Sequence, residues 1–162
     1  MDKAIQILAS NTTFDNYFSK NSISSDTRCK LLFTDFLIVP AEFDENEFYF
    51  AQEAINFVKF CRQNDQNHTY DLLADGDIQI LSLHSFDIWM PVIWVASSVL
   101  LPIVINMVSS YIYDKLRGRE NEEAKVDVTF IVKRDQEERT IHYSGSAKTF
   151  KESFEKIDIN KM

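Results

Sequence analysis

Arg62 and His68 stand at the two ends of the heptapeptide RQNDQNH, the stretch whose residue types and spacing come nearest to carrying chemistry. A guanidinium can stabilise the charge that builds on a phosphorane, and an imidazole can move a hydroxyl proton near neutral pH. Other candidates are thinner. Asp75 and Asp77 flank a glycine in ADGD, a pattern that suits a solvated turn better than an acid–base pair. Three histidines, at 68, 84 and 142, and two cysteines, Cys29 and Cys61, show none of the close pairings that zinc or haem sites use. There is no glycine-rich phosphate loop and no serine elbow. Neither a metal nor a cofactor is expected.

The heptapeptide resembles the R-polar-x(4)-H motif of HEPN ribonucleases. That resemblance implies Arg62 and His68 as phosphodiester-cleavage residues, with Gln63 as the polar neighbour. It covers seven residues, and that family's all-helical bundle differs from the β-rich pattern of the C-terminal part here. His142, in TIHY, reads as a solvent-face or cross-strand residue.

Around these residues the hydrophobic pattern predicts an α+β fold in a chain of 162 residues. That length suits one domain burying roughly 70% of its unfolded surface. The region 1–86 is expected to be acidic and α-rich, with one or two short strands. KAIQILA and TTFDNYF read as short helices, and KLLFTDFLIVP as a buried strand ending at Pro40. FDENEFYFAQEAINFVKFCRQN reads as a helix capped by Asp44, with Phe48, Ala51, Ile55 and Val58 on one stripe. A turn at ADGD then leads to a short strand, IQILSLH.

The tail from 124 to 158 is expected to be a strand–strand–helix unit. KVDVTFIVKR puts Val126, Val128, Phe130 and Val132 on one face and Asp127, Thr129 and Lys133 on the other. DQEE is a polar turn, and RTIHYSG returns with Ile141 and Tyr143 inward. Phe150, Phe154 and Ile157 then recur at helical spacing to cover the hairpin.

Between them lies DIWMPVIWVASSVLLPIVINMVSSYIYDKLRGR, read as one long apolar helix over 87–118. From Ile88 to Tyr113, 26 residues carry no charge, more than the roughly 20 that cross a bilayer. Trp89 and Trp94 at one end, Tyr111 and Tyr113 at the other, and Lys115, Arg117 and Arg119 beyond them imitate membrane-interface signals. Against a span, the basic end would stay inside only if the acidic region 1–86 were exported, and no cleavable signal is apparent. At about 100° per residue, Ser98, Asn106, Ser109, Ser110 and Tyr113 gather on one side, as on a helix buried by protein. Pro91 suits the helix's first turn, and Pro102 predicts a kink. Association is expected through Trp89, Trp94, Leu100, Val104, Asn106, Met107 and Tyr111.

The net charge of −8 speaks against a nucleic-acid partner, which needs a basic face. The charge is uneven: residues 1–86 hold 6 Lys/Arg against 13 Asp/Glu. Two widely separated cysteines fit a reduced, cytoplasmic setting. Beyond composition, YIYDKL followed by VDVTFIVKRDQEERTIHYSGSAKTFKESFEKI resembles, in layout over 88–158, small accessory proteins beside bacterial anti-phage and stress-response effectors. The function expected is a non-catalytic accessory or adaptor subunit that meets a protein partner or a second copy of itself. The alternative is a single-pass inner-membrane protein or membrane-acting effector with a cytoplasmic tail, and third a HEPN-like ribonuclease.

Overall fold

The alternating segment Lys125–Arg134 pairs antiparallel with Glu137–Ser146 along its whole length. A computed structural model describes residues 5–9, 23–44, 47–74, 78–81, 88–118, 123–134 and 137–155. In chain order the elements are β1 (Ile5–Ala9), α1 (Ser25–Leu31), β2 (Phe36–Val39), β3 (Ala41–Asp44), β4 (Glu47–Ala51), α2 (Ala54–Asn64), β5 (Tyr70–Leu72), β6 (Ile80–Leu81), β7 (Ile88–Val95), a 3₁₀ turn (Ser98–Leu100), α3 (Leu101–Leu116), β8 (Lys125–Arg134), β9 (Glu137–Ser146) and α4 (Phe150–Glu155).

Six strands form one mixed sheet in the order β1-β9-β8-β7-β2-β5, and β3, β4 and β6 form a smaller one. β7 and β8 are parallel neighbours, so α3 between them is a crossover helix. β2 and β5 are also parallel, with α2 in their connection. The main core lies where α2, α3 and α4 cover one face of the large sheet. Phe57, Val58 and Cys61 of α2, Val104, Val108 and Ile112 of α3, and Phe150 and Phe154 of α4 meet Phe36, Ile93, Val128, Phe130 and Tyr143 from the strands. A smaller core of Leu31, Leu37, Val39, Leu73, Trp94 and Ile131 gathers separately. Strand residues thus alternate between two apolar clusters, Leu37 and Ile38 being one such pair.

The α+β class is as the sequence predicts, and the tail matches its expected layout. Val126, Val128, Phe130, Val132, Ile141 and Tyr143 are all buried in the main core with Phe150 and Phe154, which make ring contacts with Phe130 and Tyr143. Ile157 lies outside the described residues, as do residues 12–18, 75–77 and 135–136 of the expected short helix and turns.

Several expectations are corrected. The apolar run is not one helix over 87–118. Its first part is β7, buried along nearly its whole length, and the helix proper begins at Leu101. Pro91 therefore sits in a strand, where the register shifts between Trp89 and Val92, a bulge that relieves it of a ladder donor. Pro102 falls in the first turn of α3, where its missing N–H costs nothing and no kink follows. α3 closes at Arg117, and Gly118 follows with φ of 84°, the left-handed stop that glycine adopts without strain.

The region before Asp87 is strand-rich among the described residues. Residues 5–9 of the expected first helix form β1, paired with β9 from Ile5↔Tyr143 to Ala9↔Arg139. The helix expected from Asp44 starts only at Ala54, because 41–44 and 47–51 pair as a hairpin. Phe48 and Ala51 belong to β4 rather than to a helical stripe. The three stretches of chain are interleaved in one sheet, since β1 pairs with β9 and β2 with β7.

Candidate functional site

α2 ends where Asp65 turns extended, its N–H still bonded to the Cys61 carbonyl at 2.8 Å. The chain then bends through 66–68 and enters β5 at Tyr70. The entry is clamped against the start of β2. Thr69 N–H donates to Asp35 Oδ2 at 3.0 Å, Asp35 N–H donates to Thr69 Oγ1 at 2.8 Å, and Phe36 N–H donates to the Thr69 carbonyl at 3.0 Å. Phe36 stacks on Tyr70 with ring centres 4.9 Å apart.

This local geometry brings the two ends of RQNDQNH onto one cleft of about 330 Å³, whose lining includes Arg62, Asp65, His68, Thr69, Tyr70 and Asp71. Asp65 is its centre. His68 Nδ1 lies 2.9 Å from Asp65 Oδ2 and 3.2 Å from Oδ1, the Tyr70 hydroxyl donates to Oδ2 at 2.6 Å, and Asn67 N–H donates to Oδ1 at 3.1 Å. Burial alone would raise the Asp65 carboxyl, but the donors from Tyr70, Asn67 and His68, with the His68 charge, outweigh it and hold it below the ordinary carboxylate value. Burial, reinforced by the bond to Asp65, pushes the Tyr70 phenol well above its usual value, so it remains a donor.

Arg62 is held as well. Its Nε and Nη2 donate to the Tyr70 carbonyl at 3.1 and 2.9 Å, and Nη2 lies 3.3 Å from Asp71 Oδ1. Gln63 is exposed and does not line the cleft. Chemically, an Asp-oriented imidazole could shuttle a proton, since Nε2 of His68 makes no hydrogen bond among the described residues. The charge around it is unfavourable to phosphate: Asp65 and Asp71 line the cleft with its one guanidinium, and Asp71 lies 3.3 Å from it. Cys61, behind the cleft, is fully buried, and burial followed by the Asp65 charge pushes its thiol up and keeps it protonated. Among the described residues no group of three or more His, Cys, Asp or Glu could hold a metal ion.

Of the residues expected to carry association, Trp89, Trp94, Val104 and Tyr111 are buried in this chain's own fold. Leu100 and Met107 are partly buried against the core, and Asn106 is exposed. Of the polar side expected on the apolar helix, Asn106, Ser110 and Tyr113 are exposed, while Ser109 and Ser98, the latter in the 3₁₀ turn, are half-buried. His142 is a cross-strand residue, its Nε2 2.8 Å from Asp127 Oδ2 on β8. His84, Asp75 and Asp77 lie outside the described residues.

Sequence reasoning missed other residues. Asp65 had a signal, an acid three residues before His68. Phe33, 88% exposed, and Val99, 80% exposed, had none. They flank neighbouring strand ends: Phe36 pairs with Val95, and Ala96 N–H donates to the Asp35 carbonyl at 3.0 Å. Half-exposed Leu32 precedes Phe33 in the same loop, and Thr34 after it lines the Asp65 cleft. Compared with protein-family descriptions, with characterised proteins and with solved structures, the chain shows no match.

Proposed function

We propose that this chain is a non-catalytic accessory or adaptor subunit that binds another protein through the apolar side chains at the β2–β7 end of its sheet. One observation carries this reading. Phe33 and Val99 are 88% and 80% exposed, in the loop before β2 and the 3₁₀ turn after β7, at adjacent strand ends, although both side chains favour burial. The Arg62–His68 cleft supports it from the other side, because its guanidinium holds a strand entry and two carboxylates, Asp65 and Asp71, line it against a phosphate. The layout resemblance to accessory proteins of bacterial defence operons is a reason to seek the partner among effectors.

The experiment compares wild type with Phe33→Asp/Val99→Asp, both checked for folding by circular dichroism. Wild type should copurify stoichiometrically with another protein from its source cells or self-associate in sedimentation. The variant should do neither. A complex that survives both substitutions, or a wild type that forms none, rejects the reading.

A second reading, attachment to a membrane, is favoured by the segment Ser98–Leu116, which is long and apolar enough to cross a bilayer by length and composition. Val104, Ile105 and Val108 are buried against the sheet, which supports a helix that stays within the fold. Resistance of the wild type to alkaline extraction from membranes would favour this second reading over the first.

A further inference from the structure

The side chains of Lys148 and Lys151 make no ion pair or hydrogen bond among the described residues, in a chain whose net charge is −8. Both line the groove between α3 and the turn leading into α4. Its floor is apolar, made by Ile112, Leu116 and Ala147, and its volume is about 310 Å³. Tyr113, 69% exposed, and Ser109 form a wall shared with a second, more polar cleft of about 510 Å³, which continues toward Asn64 and Arg117. Arg117 is matched there by Asp114 at 3.5 Å. The unmatched positive charge is therefore that of the two lysines.

We propose that this groove binds a small amphipathic anion, an alkyl or aryl body bearing one carboxylate or sulfonate. The apolar floor gives an inorganic anion nothing to bury against, and the two ammonium groups give a neutral hydrocarbon no reason to prefer this site. A ligand with both parts buries its body on Ile112 and Leu116 beside the Tyr113 ring. Its head then meets two lysines that have no carboxylate of their own. The volume lies at the lower end of the range of small-molecule sites, which are mostly apolar with a few polar groups at one side. The site is independent of the β2–β7 end and of the association proposed for it.

The test titrates the full chain with 8-anilinonaphthalene-1-sulfonate, followed by fluorescence and calorimetry, then competes it with decanoate and with decanol. One saturable site per chain is expected, with decanoate displacing the probe far better than decanol. Lys148→Glu/Lys151→Glu should weaken both anions roughly tenfold or more at unchanged thermal stability. If that variant does not fold, Lys151→Gln should still weaken both measurably. Phe33→Asp should leave the affinity as in wild type, which separates this groove from the exposed apolar end. Equal displacement by decanol, lysine variants that bind like wild type, loss of the site in Phe33→Asp, or no saturable binding at all would each overturn the proposal.

Discussion

The hydroxyl of Tyr111 on α3 donates a 2.6 Å hydrogen bond to Oε1 of Glu53, a buried carboxylate at the start of α2. Lys115 Nζ reaches the same oxygen at 3.1 Å. A buried carboxylate must be bonded to be tolerated, so this contact ties the two crossover helices together. Burial, then the bond to Glu53, pushes the Tyr111 phenol above its ordinary value and keeps the donor proton in place.

Tyr111→Phe keeps the edge contacts with Phe57 and Phe60 but removes that donor. It should cost about 1–3 kcal/mol, read as a lowered urea midpoint at constant m-value. Lys115→Ala should cost less, because its side chain is 37% exposed and the pair is screened. Equal stability of Tyr111→Phe and wild type would show that water replaces the phenol.

Phe154 stands edge-on to Phe130 at 5.8 Å and packs on Phe150 at 4.9 Å. Phe154→Ala should destabilise by about 3–5 kcal/mol if the site cannot collapse. A loss far below that floor in chemical denaturation would show that α4 contributes little to the core.

His142 is raised above its ordinary value of 6.5, first by its hydrogen bond to Asp127, which outweighs partial burial, and then by the Asp127 charge. A raised folded-state value means that the protonated pair stabilises the fold below pH 6.5 and that this stabilisation is lost as pH rises through the folded value. The thermal midpoint of wild type should therefore exceed that of His142→Asn most between the carboxylate range and pH 6.5, and the gap should shrink in alkali. A gap that widens with pH would contradict the pairing.

Arg62→Ala removes two donors from the Tyr70 carbonyl and should cost about 1 kcal/mol, because the guanidinium is largely exposed. His68→Ala should leave protein association unchanged. Neither wild type nor variant should cleave RNA. Cleavage by wild type that disappears in both folded variants would restore the nuclease reading.

The tail was legible because its signal is local. Alternation from Val126 to Val132 and the aromatic spacing of Phe150 and Phe154 each fix a face without reference to the rest of the chain. The polar side of α3 was legible for the same reason. The heptapeptide RQNDQNH placed Arg62 and His68 near one another because seven residues leave little room to separate them.

What the tertiary structure decided is whatever depends on a distant partner. Ile88–Val95 is apolar on both faces, so no period separates strand from helix, and the choice falls to pairing with β2 and β8. Ile5–Ala9 is a strand because β9 offers it an edge more than a hundred residues away. Glu53 and Tyr111 meet across 58 residues, and the exposure of Phe33 and Val99 follows from where neighbouring strands end. Periodicity reports the environment a side chain requires. Which segment supplies that environment is set by the packing of the whole chain.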